Sequence, residues 1–203
     1  MNLRFQDDQS QSVFFRDLRL VHDDLVSYAS SAAPYCAFND EAENEALVEE
    51  LNRDALFWNC VLASLQTTAF VSLGRLHDKA KQHNHLGRYI KAMQSQDKEC
   101  VKACEQLQRA IAKQQTFLQR VVTLRHKVFV HTDFHAPLFA AFGFEGLTIN
   151  DFRVYWDDTV SALEACDLAM FGTQEHGPKF EKSLFASIET ATKTALLRRV
   201  HSK

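Results

Sequence analysis

Six glycines and three prolines in 203 residues are too few to punctuate a sheet protein. Hairpins and tight turns draw on these residues, because glycine supplies positive φ and proline presets a negative one. What regularity the chain has is helical. Phe14, Leu18, Val21, Leu25 and Tyr28 recur at alternating steps of four and three, which places them on one face of a helix. The spacing predicts a helix over 13–33, ended by Ala33-Pro34, since proline removes a backbone donor and crowds the preceding turn.

A second helix is expected to open at Asp40 with an acidic first turn, as the macrodipole prefers, and to run through Leu47, Leu51, Trp58, Leu62, Leu65, Ala69 and Leu76. Residues 81–85 break the pattern, and a shorter helix over 86–94 follows. A fourth helix is expected over 97–131, with Pro137 marking the end of the loop beyond it. The Phe-rich, glycine-bounded stretch 136–146 reads as an ordered loop. Thr148-Ile149-Asn150-Asp151 reads as a capping box with Asp at the reach-back position. It opens a helix with Phe152, Trp156, Val160, Leu163 and Met170 inside. A turn over 172–178 and a last basic helix ending at Arg198-Arg199 complete the chain. The fold class is therefore all-α, an up-and-down bundle of long helices, with one domain over 1–203 and its core over about 12–195.

Hydrophobic residues make up 46% of the chain and charged residues 24%, the balance of a soluble globular protein. The net charge of −3 gives no global basic signal, so any nucleic-acid contact must come from a local patch. Five cysteines, an odd count, and a polar acidic start without a leader segment predict reduced thiols in the cytoplasm. No stretch reads as a membrane span, and no membrane contact is expected. Cys100 and Cys104 share a helix face, but no second pair completes a zinc cage, so they are expected to pack as ordinary small residues. His131 and His135 with Asp133 lack the acidic base of a metalloprotease motif, and Pro137 follows closely. No metal and no cofactor are expected. His77, His83 and His85 fall in the polar break and are expected to be solvated, and Asp157-Asp158 to lie on a wet helix face.

One segment stands apart: Arg125-His126-Lys127-Val128-Phe129-Val130-His131. Ile111, Leu118, Val121 and Phe129 fall on one face at helical spacing, and Arg125 projects into the middle of it. An unpaired buried guanidinium is too costly to keep. It must meet a carboxylate such as Asp78 or Glu105, or an anion that arrives later. On a regular helix His131 lies about 120° around the axis from Arg125 and roughly 9 Å along it, too far for pairing. The two read as parts of one shared site.

The stretch Leu124-Arg125-His126-Lys127-Val128-Phe129-Val130-His131-Thr132-Asp133 resembles the LR-polar-K-x-x-x-HxD signature of the abortive-infection AbiU-type branch of the HEPN superfamily. Ser72-Leu73-Gly74-Arg75-Leu76-His77-Asp78 resembles that branch's RL-x-D element, and Leu147-Thr148 opening the next helix agrees in order. The resemblance covers roughly residues 12 to 195. It implies an endoribonuclease, usually metal-independent, that works as a homodimer with two motifs facing one cleft, and it implies the role of a toxin or anti-phage effector with RNA as substrate. An antitoxin protein is a further partner that such toxins imply.

On this resemblance Arg125 and His131 are the catalytic pair. Histidine titrates near neutrality and suits proton transfer, and a dimer brings two His131 side chains into one site. Arg125 would stabilise the charge that builds on the phosphorane. His126 and Lys127 would hold flanking phosphates. Arg75 and Asp78 would support them, Asp78 orienting Arg125 before RNA arrives. Some relatives carry a tyrosine two residues after the histidine as a target of nucleotide transfer; Asp133 stands there in this chain, so that control has no support. The alternative is a HEPN-like helical module that binds RNA, a nucleotide or a partner protein without cutting.

Overall fold

A computed structural model describes residues 5, 7–77, 85–124, 146–172 and 179–201. Among them are eight helices and no strand: α1 (Asp8–Asp40), α2 (Glu45–Arg53), α3 (Ala55–His77), α4 (His85–Met93), α5 (Lys98–Lys113), α6 (Gln115–Leu124), α7 (Ile149–Phe171) and α8 (Ser183–His201). The fold is an all-α bundle, as the scarcity of turn residues predicts.

The longest helix, α1, organises the bundle, packing against α3, α4, α7 and α8. Its predicted stripe is buried throughout: Phe14, Leu18, Val21, Leu25 and Tyr28 are at most 2% exposed. Tyr28 donates its hydroxyl to the Phe152 carbonyl at 2.9 Å and stacks on the rings of Phe152 and Trp156. At one end of the bundle, Arg153 of α7 bridges Asp40 of α1 at 2.6 Å and Glu189 of α8 at 2.5 Å, with Lys193 also pairing with both acids.

Helix α1 begins at Asp8, well before the expected start at residue 13, and three further helix boundaries differ from the sequence expectation. First, α1 does not stop at Ala33-Pro34; Pro34 lies inside it and the helix runs on to Asp40. A proline there forfeits one backbone hydrogen bond, but Tyr35, Cys36 and Ala37 beyond it are buried, and that packing holds the helix together. Second, the helix expected from Asp40 to Leu76 is two helices. Asn44 caps α2 by accepting from the Leu47 N–H at 3.2 Å, and Asp54 ends it with its own N–H turned back to the Leu51 carbonyl. Short polar side chains favour such breaks, although the apolar spacing continues across them. Third, the helix expected over 97–131 begins as predicted, Asp97 accepting from the Cys100 N–H at 2.9 Å. It is interrupted at Gln114, whose amide donates to Asp158 at 2.7 Å. Its continuation past Leu124 lies outside the described residues.

The capping box at α7 is present, with Thr148 and Asp151 each accepting from the other's backbone N–H. Gly172 closes α7 with φ of +61°, a conformation that side chains other than glycine's strain to adopt. The predicted loop over 136–146 lies almost wholly outside the described residues, and so does most of the turn over 172–178.

Helix α3 corrects the expectation that no stretch matches a membrane span. It is long and apolar enough to cross one by length and composition, with a window of mean hydropathy 1.4. The serines, threonines and amides scattered through it hide this from a count of apolar runs, yet no charged residue occurs between Ala55 and Gly74. Its second half enters the core through Ala69, Phe70, Leu73 and Leu76. Leu56 and Phe57 at its start are exposed.

Candidate functional site

The apolar stripe of α1 carries two acids that the hydrophobic pattern would not place inside. Asp17 and Asp24 lie seven residues apart on the same face and are only 3% and 4% exposed. Each is held by basic side chains from the helices opposite. Asp24 accepts from Arg75 Nε through Oδ1 and pairs with His85 Nδ1 through Oδ2, both at 2.7 Å. Asp17 takes Arg88 side-on, from Nε at 3.2 Å and from Nη2 at 3.0 Å. Burying carboxylates is unfavourable unless each oxygen is satisfied, and here cations and imidazole satisfy them.

Beside this cluster, His77 in the last turn of α3 places Nε2 at 2.7 Å from the Tyr155 hydroxyl of α7. Burial pulls the His77 pKa down to about 4, so its ring is neutral over the physiological range. Burial, with the charge of Asp24 adding to it, pushes the Tyr155 hydroxyl up. These contacts correct the expectation that His77 and His85 are solvated: His77 is bonded to Tyr155 and His85 is buried against Asp24. The polar residues around them hid helices that carry both into the interior. His83 lies outside the described residues.

His77 also lines a groove of about 680 Å³ together with Leu86, Ile111, Leu118, Val122 and Thr123. The last turn of α3 therefore shares a cavity with the last turn of α6. The first sequence element, from Ser72 to Asp78, ends just past the one turn, and the second begins at Leu124 in the other.

Of the sequence-predicted site residues, Arg75 alone is described. Arg125, His126, Lys127, His131 and Asp78 lie outside the described residues, α6 ending at Leu124 one residue before Arg125. Glu105, an alternative partner for Arg125, is exposed on α5. The carboxylate that holds Arg75 is Asp24, which the sequence reading missed. A signal for it existed: Asp17 and Asp24 interrupt the apolar stripe at positions where a lone acid would be too costly to bury.

Among the described residues no three His, Cys, Asp or Glu side chains gather in a way that could hold a metal ion. Cys100 and Cys104 are buried among core residues, as small helix residues are. Asp157 is exposed, and its neighbour Asp158 accepts from Gln114. Chemically, the described cluster offers a half-exposed guanidinium held by a buried carboxylate, whose other oxygen is held by His85.

No curated protein and no solved structure matches the chain. A family model, HEPN_AbiU2, described as AbiU2, matches residues 19–183, most of the chain, and takes in both sequence elements. This chain belongs to the AbiU2 family of HEPN domains.

Proposed function

We propose that the chain is a metal-independent endoribonuclease of HEPN type, acting in the cytoplasm as a toxin or anti-phage effector. The observation that carries this reading is the family match, which runs through the Arg125–His131 segment. The reaction is attack of the RNA 2′-hydroxyl on the adjacent phosphate. One His131 removes the attacking proton and the other, from a second subunit, supplies one to the leaving oxygen. Arg125 binds the phosphate and stabilises the charge added to it. His126 and Lys127 hold the flanking phosphates. The homodimer is required because each chain brings a single His131, and an antitoxin protein would be the partner that restrains it.

The test is RNA incubated with the purified chain in excess chelator. Cleavage leaving a 2′,3′-cyclic phosphate and a 5′-hydroxyl is expected. His131→Ala should lose the proton transfers, typically 10²–10⁴-fold each. Arg125→Ala should lose about 3–4 kcal/mol of transition-state stabilisation. Cleavage abolished by chelator, or unchanged in His131→Ala, overturns the reading.

A further inference from the structure

We infer that Asp24 is a positioning residue for Arg75, holding its guanidinium by Nε so that the terminal nitrogens take a phosphate of bound single-stranded RNA. This rests on the ribonuclease reading and adds to it two residues, Asp24 and His85, that no sequence motif includes. Three observations carry it. Asp24 is buried, its side chain 6% exposed, while that of Arg75 is 45% exposed, so the pair is closed on the carboxylate side and open on the guanidinium side. The bond is made through Nε, which turns that edge inward and leaves the two terminal amino groups as the outward end of a planar fork suited to phosphate. Asp24 is itself held by His85 on its second oxygen, so it cannot swing with the arginine.

Arg75 does not itself line the groove of His77, Val122 and Thr123; it stands on another face of the same last turn of α3. A purely structural clamp is the rival account. Helix α3 already docks on α1 through Phe70, Leu73 and Leu76, each at most 3% exposed, and a buried ion pair adds little to such packing. The same helix provides an internal comparison. Asp17 and Arg88 make a second buried ion pair seven residues away, and the side chain of Arg88 is only 29% exposed.

The experiment measures binding of a short oligouridylate, in chelator, to the full-length His131→Ala chain between about 50 and 200 mM salt. Arg75→Gln in that background is expected to reduce the slope of log K against log salt by about 0.7, the loss of one single-strand phosphate contact. Arg75→Lys keeps the charge and should restore most of the slope but not the full affinity. Asp24→Asn should weaken binding several-fold. Asp17→Asn, with a comparable fall in melting temperature, should leave affinity and slope unchanged. If Asp24→Asn fails to fold, Asp24→Glu, which keeps the charge but shifts the carboxylate, is measured instead and should likewise weaken binding while Asp17→Glu does not.

An unchanged slope in Arg75→Gln overturns the inference, as does equal weakening by Asp24→Asn and Asp17→Asn. Cleavage by the wild-type chain is read in parallel. Cleavage together with an unchanged slope spares the functional reading and removes Arg75 from it. Binding with the expected slope loss, but no cleavage, keeps the inference and removes the nuclease. No binding and no cleavage overturns both.

Discussion

His77 Nε2 and the Tyr155 hydroxyl lie 2.7 Å apart and tie the last turn of α3 to the second turn of α7. The chemistry of the pair is that of two neutral groups. Burial holds the His77 pKa near 4 and raises that of Tyr155. His77 therefore contributes no charge to its surroundings at neutral pH.

The first prediction concerns acid stability. In the unfolded chain His77 titrates near 6.5, and in the folded chain near 4. The unfolded state takes up the proton first, so this group's contribution is complete above pH 6.5 and is lost as pH falls from there towards 4. The slope is at most about 1.4 kcal/mol per pH unit. His77→Gln should show a shallower fall in melting temperature across that window than the wild type. Parallel curves would place the acid sensitivity elsewhere.

Asp167 should act with the opposite sign. Burial pushes its carboxyl up to about 7 against the Phe180 N–H, which donates to it at 3.5 Å and pulls the other way, and the charge of Glu164 adds to the rise. The folded state resists ionisation, so stability falls as pH rises from about 4, the unfolded value, to about 7. Asp167→Asn removes the ionisation. It should raise stability at pH 7.5 by more than about 1 kcal/mol, one pKa unit being worth about 1.4 kcal/mol, and give no such gain near pH 4. A destabilised variant at pH 7.5 would contradict this.

The sequence carried the class of the fold and the inner faces of its helices, because both follow from spacing. The stripe from Phe14 to Tyr28 and the Thr148–Asp151 box depend only on near neighbours along the chain, and both are found as read. The helix boundaries at Pro34, Asp54 and Gln114 depended on packing that spacing does not encode. Pro34 is overridden by the buried residues beyond it, whereas Asp54 and Gln114 interrupt patterns whose apolar positions continue unbroken. At the site, Arg75 was legible through its motif, but no carboxylate was assigned to it, Asp78 being read as the partner of Arg125. The carboxylate found is Asp24, 51 residues away on α1. A long-range ion pair leaves only an indirect trace in one sequence, an acid standing where an apolar residue belongs.

Tyr28 gives a prediction about the core alone. Its hydroxyl is fully buried and donates to the Phe152 carbonyl in the first turn of α7, joining that helix to α1. Tyr28→Phe keeps the ring contacts with Phe152, Tyr155 and Trp156 and removes only the donor. It should destabilise by about 1 kcal/mol in urea unfolding, with an unchanged denaturant slope. A loss above about 3 kcal/mol would mean that the hydroxyl organises more than this one bond.

The last prediction separates a shared site from two independent ones. If proton removal and proton donation fall to the His131 side chains of two subunits, a mixed dimer of wild-type and His131→Ala chains lacks one of the two groups. Wild-type and His131→Ala chains, unfolded together and refolded at constant total concentration, should assort at random into an isologous dimer. Cleavage should then fall as the square of the wild-type fraction, so an equal mixture keeps about a quarter of the full rate. Activity should also fall on both sides of neutral pH, because the paired histidines must hold one proton between them. A linear dependence, with half the rate in the equal mixture, would mean that each chain carries a complete site and that the second proton carrier lies within it. His85, held by Asp24 on Nδ1, would then be the first residue to replace.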